Sequence, residues 1–174
     1  KFKKTKNYVD IYGVGINGFQ LKRNTTLNAG NSGTLARCIL GLCAATNKKI
    51  NLIGDKSLSK RDFKRISDPL SKFGAKFKLF RNKNLPLTLF GSKELNQIYF
   101  NEKLGSAQCK SSVIFGGMKA NGETIIKAKK SRNHTELLSQ FLKLPIKIKK
   151  NKKYDLIKIS KVRKIKKLNY NIPS

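Results

Sequence analysis

Apolar residues along this chain fall into two alternating spacings. Over residues 31–46, Leu35, Cys38, Ile39, Leu42, Cys43 and Ala45 give a helix an apolar surface nearly all the way round, which predicts a buried helix. Over residues 60–73, Phe63, Ile66, Leu70 and Phe73 recur every three or four positions and predict an amphipathic helix, stopped by Gly74. Pro69 inside that run removes a backbone donor and predicts a kink. Residues 106–119, with Val113, Ile114, Phe115 and Met118, predict a third helix, and residues 133–142 a short fourth. Short apolar and β-branched runs at 8–12, 50–53, 75–80, 87–90, 97–100, 124–128, 145–150 and 154–160 predict strands between them. The class these elements define is α/β (α+β).

The order strand, helix, strand, helix, strand, strand occurs twice, and residues repeat with it. At an offset of 71–74 positions Ser32 matches Ser106, Asn47 matches Asn121, Leu52 matches Ile126 and Arg61 matches Arg132. Chance accounts easily for matched serines. It accounts less well for matched arginines, of which the chain has only seven. Residues 1–20 read as the tail of an earlier unit of the same kind. Residues 161–174 lack amphipathic order and read as an exit linker.

Charge changes the picture less than its size suggests. The net charge is +30, from 39 basic and 9 acidic residues, and lysines are spread along the whole length. A nucleic-acid-binding domain is one reading. A lysine-rich composition over an ordinary fold is the better one, because no aromatic-basic module and no zinc finger accompany the charge. No apolar run reaches membrane-spanning length, and the basic start leads into a strand rather than a secretory signal. Cys38, Cys43 and Cys109 show no metal or redox spacing and read as buried free thiols in a reducing cytoplasm.

Chemistry enters with the loop of small residues from Asn28 to Thr34. It opens the first helix, and helix starts present free N–H groups and partial positive charge. With Arg61 close behind in sequence, the segment reads as a place to hold an anion. The run Asn28-Ala29-Gly30-Asn31-Ser32-Gly33-Thr34, with Arg37 a turn later, resembles the signature of the 5-enolpyruvylshikimate-3-phosphate synthase family. Gly54-Asp55, Ser57-Leu58, Lys60-Arg61 and Asp68-Pro69-Leu70 resemble it in the same order, as do Ser106-Ala107-Gln108, Lys110-Ser111, Asn121-Gly122-Glu123-Thr124 and Ser131-Arg132-Asn133-His134-Thr135-Glu136. The tail Tyr170-Asn171-Ile172-Pro173-Ser174 resembles the family's crossing to a second lobe.

The resemblance implies an α/β prism lobe of repeated βαβαββ units, helices inside and mixed sheets outside. It makes residues 1–174 a single lobe: 1–26 the end of unit one, 27–92 unit two, 93–160 unit three and 161–174 the linker toward a second lobe. It implies that Asn31, Gly33, Arg61 and Gln108 meet phosphoenolpyruvate, with Gly33 at the closest approach and Arg61 as a clamp. It implies that Ser106, Ala107, Gln108, Ser131 and Arg132 meet shikimate 3-phosphate. Asp62 departs from the pattern, where proline usually follows the arginine, and stands where it can pair with Arg61. His134, the lone histidine, receives no catalytic role.

The implied reaction transfers the enolpyruvyl group to the 5-hydroxyl of shikimate 3-phosphate with release of phosphate, in the pathway to chorismate and the aromatic amino acids. It uses no metal and no cofactor. The family's main acid and base groups lie in the other lobe and in a lysine motif of unit one, so catalytic residues within this chain are unassigned. The chain alone is expected to bind anions weakly and not to turn over. The complete enzyme is expected to be a cytoplasmic monomer with no membrane and no specific nucleic-acid partner, and Gly33 implies sensitivity to glyphosate. The sister transferase acting on UDP-N-acetylglucosamine has a loop cysteine with no counterpart here. RNA 3′-terminal phosphate cyclases, also built from repeats, need a nucleotide-accepting histidine that His134 fits poorly.

Overall fold

A computed structural model of the chain describes residues 2–6, 8–16 and 21–166. Two short exposed strands, β1 (Phe2–Lys4) and β2 (Val9–Ile11), pair antiparallel with each other. Two four-stranded sheets follow. The first contains β3 (Asn24–Asn28), β4 (Lys49–Ile53), β5 (Lys76–Phe80) and β6 (Asn84–Phe90), in the order β3-β4-β6-β5. The second contains β7 (Tyr99–Glu102), β8 (Thr124–Lys129), β9 (Ile146–Lys150) and β10 (Tyr154–Ile159), in the order β7-β8-β10-β9. In each sheet the first pairing is parallel and the others antiparallel. The parallel pairing of each sheet is spanned by a helix, α1 (Gly33–Cys43) in one and α4 (Ala107–Gly117) in the other. The sequence reading has no counterpart to β3. Its residues, Asn-Thr-Thr-Leu-Asn, are polar at an edge, and only Thr25 and Leu27 are half-buried.

The two helices cross backbone to backbone. A Cβ built on Gly41 of α1 would lie 2.2 Å from the carbonyl oxygen of Ser112 in α4. Close approach of this kind requires glycine. α4 is also close-packed on a second helix, where Gly116 stands against the Phe73 ring, and on the outer sheet, where Gly117 stands against Ile159 and Thr124. It therefore buries polar as well as apolar positions, including Lys110, Ser111 and Ser112. α1 is less enclosed than its composition predicts. It buries Gly33, Ala36, Leu40, Gly41 and Cys43 but leaves Leu35 half exposed.

The helix predicted over 60–73 begins only at Lys64, as α3 (Lys64–Lys72), and a separate short helix, α2 (Lys56–Ser59), precedes it. Tertiary hydrogen bonds take the backbone between them. The Phe63 N–H donates to the Lys83 carbonyl at 2.7 Å, and the Asn84 side chain donates to the carbonyls of Lys60 and Arg61. Asp62 Oδ1 accepts from the Lys64 N–H at 2.7 Å at the start of α3. Among the described residues Asp62 forms no ion pair with Arg61, although its place in sequence allows one. Pro69 lies within α3 without ending it. The carbonyl its missing N–H would have served, that of Arg65, instead accepts from the Cys109 thiol at 3.0 Å. A short α5 (His134–Phe141) follows β8.

The segment read as a linker is docked where it begins. Val162 is buried, its N–H donates to the Met118 carbonyl, and Lys161 Nζ donates to Asn121 Oδ1. The crossing motif Tyr170–Ser174 lies outside the described residues. Among the described residues no helix is long and apolar enough to cross a membrane.

Cys38, Cys43 and Cys109 are free. Burial pushes the Cys43 thiol up to about 11 and, with the Glu102 carboxylate adding to burial, Cys109 up to about 12. The unfolded chain loses these protons near the ordinary value of 9.0, while the folded chain still holds them. Their contribution to stability is complete below pH 9 and falls as pH rises toward 11–12. Iodoacetamide at pH 8 is expected to leave Cys43 and Cys109 unmodified by mass spectrometry until denaturant is added.

Candidate functional site

The two repeats prepare the same local geometry at their first helix. Asn28 ends β3, and its Oδ1 accepts from the Gly30 N–H at 2.9 Å. Glu102, at the matching place in β7, accepts from the Leu104 and Gly105 N–H groups at 3.0 and 2.7 Å. Gly30 and Gly105 carry positive φ of 53° and 70°, which turns the chain back toward the helix. Ser32 then caps α1 by accepting from the Leu35 N–H at 3.1 Å, and Ser106 caps α4 by accepting from Cys109 at 3.2 Å.

These two helix starts meet. Gln108 Nε2 donates to Thr34 Oγ1 at 2.6 Å, and Gln108 Oε1 accepts a short hydrogen bond from Arg37 Nη1. Arg61 arrives at the same point from the turn between α2 and α3. A Cβ on Gly33 would stand 3.0 Å from Nη1 of Arg61 and 3.2 Å from Nη1 of Arg37. Glycine at position 33 thus leaves the space in which the two guanidinium groups lie over the first turn of α1. Arg37 is half-buried with its guanidinium 5.6 Å from the Phe63 ring centre, and its Nε is buried without a hydrogen-bond partner. Burial first, then the neighbouring Arg65 and Arg61, lower the Arg37 pKa, while Cys109 and Asp62 oppose the shift. Among the described residues none of the three arginines is in an ion pair. Concentrated cations with free N–H groups beside them can hold phosphate or carboxylate.

Gly33, Arg61 and Gln108 of the sequence-derived set are therefore brought together. Asn31 is exposed on the loop ahead of Ser32, and Ala107 opens α4. Ser131 and Arg132 lie on the loop between β8 and α5. Arg132 is exposed, and Ser131 Oγ is buried without a hydrogen-bond partner. Among the described residues no hydrogen bond joins these two to the arginine cluster. Their loop instead flanks the start of α4, since a Cβ on Gly105 would be 3.3 Å from the Lys130 carbonyl. Sequence reading assigned no role to Arg37, Thr34 or Arg65. The four-residue step from Gly33 to Arg37, which puts both on one helix face, was the available signal for Arg37.

A surface concavity of about 510 Å³ lined by Arg23, Asn24, Asn47, Lys48, Lys49, Phe90 and Gly91 lies at the other end of the first sheet, where β3 begins. Gly91 of its lining abuts the Cys43, Ala44 and Thr46 carbonyls, so the concavity lies by the carbonyl end of α1, where basic residues offset the helix dipole. Among the described residues no group of His, Cys, Asp and Glu could hold a metal ion.

Fold and site together define a mixed α/β lobe of repeated units whose inner helices open onto one cationic site. The model of the family described as EPSP synthase (3-phosphoshikimate 1-carboxyvinyltransferase) matches residues 2–174, and the chain belongs to that family. It is 42% identical over 153 residues to the 3-phosphoshikimate 1-carboxyvinyltransferase of Ruthia magnifica, covering 87% of this chain and 35% of that protein. It is 43% identical over 136 residues to the enzyme of the same name from Streptococcus agalactiae serotype Ia, covering 76% of this chain and 32% of that protein. A solved EPSP synthase from Acinetobacter baumannii superposes with a TM-score of 0.84 at 30% identity, over 95% of this chain and 37% of that one. The chain spans about a third of the length of the curated relatives it matches.

Proposed function

We propose that this chain is the substrate-binding lobe of a 3-phosphoshikimate 1-carboxyvinyltransferase. The observation that carries the reading is the convergence of Gly33, Arg37, Arg61 and Gln108 at two facing helix starts. In this reading Asn31 and Gly33 offer backbone and amide contacts to phosphoenolpyruvate, and Arg61 clamps its phosphate or carboxylate. Gln108 stands between the two substrates. Ser106, Ala107 and Gln108 take one side of shikimate 3-phosphate, and Ser131 and Arg132 take its phosphate. The unpartnered Ser131 hydroxyl and Arg37 Nε support this, because buried polar atoms ordinarily have partners and a bound anion supplies them.

The 5-hydroxyl oxygen adds to the central carbon of phosphoenolpyruvate as its proton leaves and the methylene carbon gains one, and the tetrahedral adduct then loses phosphate and a methyl proton to restore the double bond. The lobe binds and orients, while the main proton-transfer groups belong to a second lobe and to the lysine motif of unit one. The working enzyme is read as a cytoplasmic monomer with small-molecule substrates and no cofactor.

Calorimetric titration of the chain with shikimate 3-phosphate and with phosphoenolpyruvate tests the reading. Both are expected to bind weakly, with no phosphate release when they are combined. Steeply salt-dependent DNA or RNA binding with no response to either ligand would overturn it. Gly33→Ala places a methyl group against both guanidinium groups, so each must shift by a few tenths of an ångström. That variant is expected to bind phosphoenolpyruvate several-fold more weakly and shikimate 3-phosphate unchanged, read in the same titrations.

A further inference from the structure

Lys110 and Glu136 form an ion pair inside the molecule, Nζ to Oε1 at 2.6 Å, with the residues 0% and 2% exposed. Both belong to first turns, Lys110 in α4 and Glu136 in α5. Beside them Ser111 Oγ and Thr135 Oγ1 share a hydrogen bond of 2.7 Å. Taking two charges out of water costs about as much as their attraction returns, and an apolar pair of similar volume is often as stable or more so. Lys110 is worse placed than most, because its charge lies near the positive end of the α4 dipole. Stability alone therefore does not account for the pair.

Direction does. A short ionic contact and a hydrogen bond at adjacent residues fix both distance and rotation between the starts of two helices. Just ahead of Lys110 stand Ser106, Ala107 and Gln108, and just ahead of Glu136 stand Ser131 and Arg132. The two residue sets assigned to shikimate 3-phosphate are thus carried on the two ends of one clamp. At the repeat offset unit two has Ala36 and Arg65 in these positions, so the clamp is peculiar to unit three.

We propose that the Lys110–Glu136 pair, with Ser111–Thr135, is a positioning device that holds the Ser131–Arg132 loop at a set distance from the start of α4. It thereby shapes the shikimate 3-phosphate side of the site and leaves the phosphoenolpyruvate side untouched. The ligand part rests on the substrate assignment above.

The test is the double variant Lys110→Met with Glu136→Met, which removes both charges and orphans neither. Hydrogen exchange of the amides of residues 131–133 is measured with the melting temperature and with titrations of both ligands. The expected result is a folded chain melting near wild type, with those amides exchanging at least about tenfold faster and shikimate 3-phosphate bound about tenfold or more weakly. Phosphoenolpyruvate affinity stays the same. A folded double variant with unchanged exchange overturns the clamp. Faster exchange with unchanged shikimate 3-phosphate affinity overturns its role in binding. If the double variant does not fold, Glu136→Asp, which keeps the charge and shortens its reach, is read by the same measurements and criteria. If the wild-type chain binds neither ligand, the substrate assignment fails, and the exchange measurement alone decides whether the clamp holds the loop.

Discussion

Gly41→Ala lowers the melting temperature of the chain by about 10 °C. The added methyl would stand 2.2 Å from the Ser112 carbonyl oxygen, 2.9 Å from its carbon and 3.0 Å from its Cα. All three are backbone atoms in the middle of α4, so no rotamer change relieves the contact and the helices must part. Overpacking commonly costs about 1–3 kcal/mol, and a clash with rigid backbone belongs at or above the top of that range. At about 2–4 °C per kcal/mol for a domain of this size, roughly 10 °C follows. Gly30→Ala is the control. No atom lies within 4 Å of its Cβ position, and only the positive φ of 53° opposes the change. That strain is about 1–2 kcal/mol, so a shift of a few degrees is expected. A Gly41→Ala chain that melts like wild type would show that α1 and α4 do not meet backbone to backbone. Binding should weaken too, because Ser112 Oγ donates to the Arg37 carbonyl at 2.9 Å, tying the crossing to the arginine cluster.

Arg61→Ala has the largest expected effect on binding. Under the proposed assignment it weakens phosphoenolpyruvate affinity between about 10- and 100-fold, the equivalent of losing a charge-assisted hydrogen-bond pair worth about 1.5–3 kcal/mol. Arg61 is exposed, so the melting temperature should not move. Arg61→Lys recovers only part of the loss, since an ammonium keeps the charge but not the two-pronged geometry. Salt weakens the wild-type interaction more than that of Arg61→Ala. Unchanged phosphoenolpyruvate affinity in Arg61→Ala, measured by calorimetry, would place the clamp elsewhere.

Much of the architecture was legible because its signals are local. The helices at 31–46 and 106–119 were marked by apolar spacing and by serines at their starts, and the strands by short apolar runs. Family membership was legible because the matching motifs run in order along the chain. The errors fall where distant partners override local preference. The run 60–73 has helical spacing throughout. The Phe63 N–H nevertheless goes to Lys83, and residues 60–63 form a turn ahead of α3 that brings Arg61 to Gly33. Pro69 lies within α3, and Cys109, 44 positions from Arg65, serves the Arg65 carbonyl that the proline leaves free. β3 was missed because a polar edge strand lacks the apolar run by which strands are found.

Class, repeat, family and the residue types that an anion site needs all follow from short local patterns and from the order in which they recur along the chain. Which of those residues meet follows from the packing of segments far apart in the chain. Arg37 and Gln108 are 71 positions apart, and Thr34 and Gln108 are 74 apart. They touch because Gly41 lets two helix backbones cross closely enough to bring their first turns side by side. Arg37, which sequence reading left without a role, stands between Arg61 and Gln108 for the same reason. The partner of Lys110 was equally invisible from spacing, since a buried charge is assigned its counterion by packing and not by position in the chain.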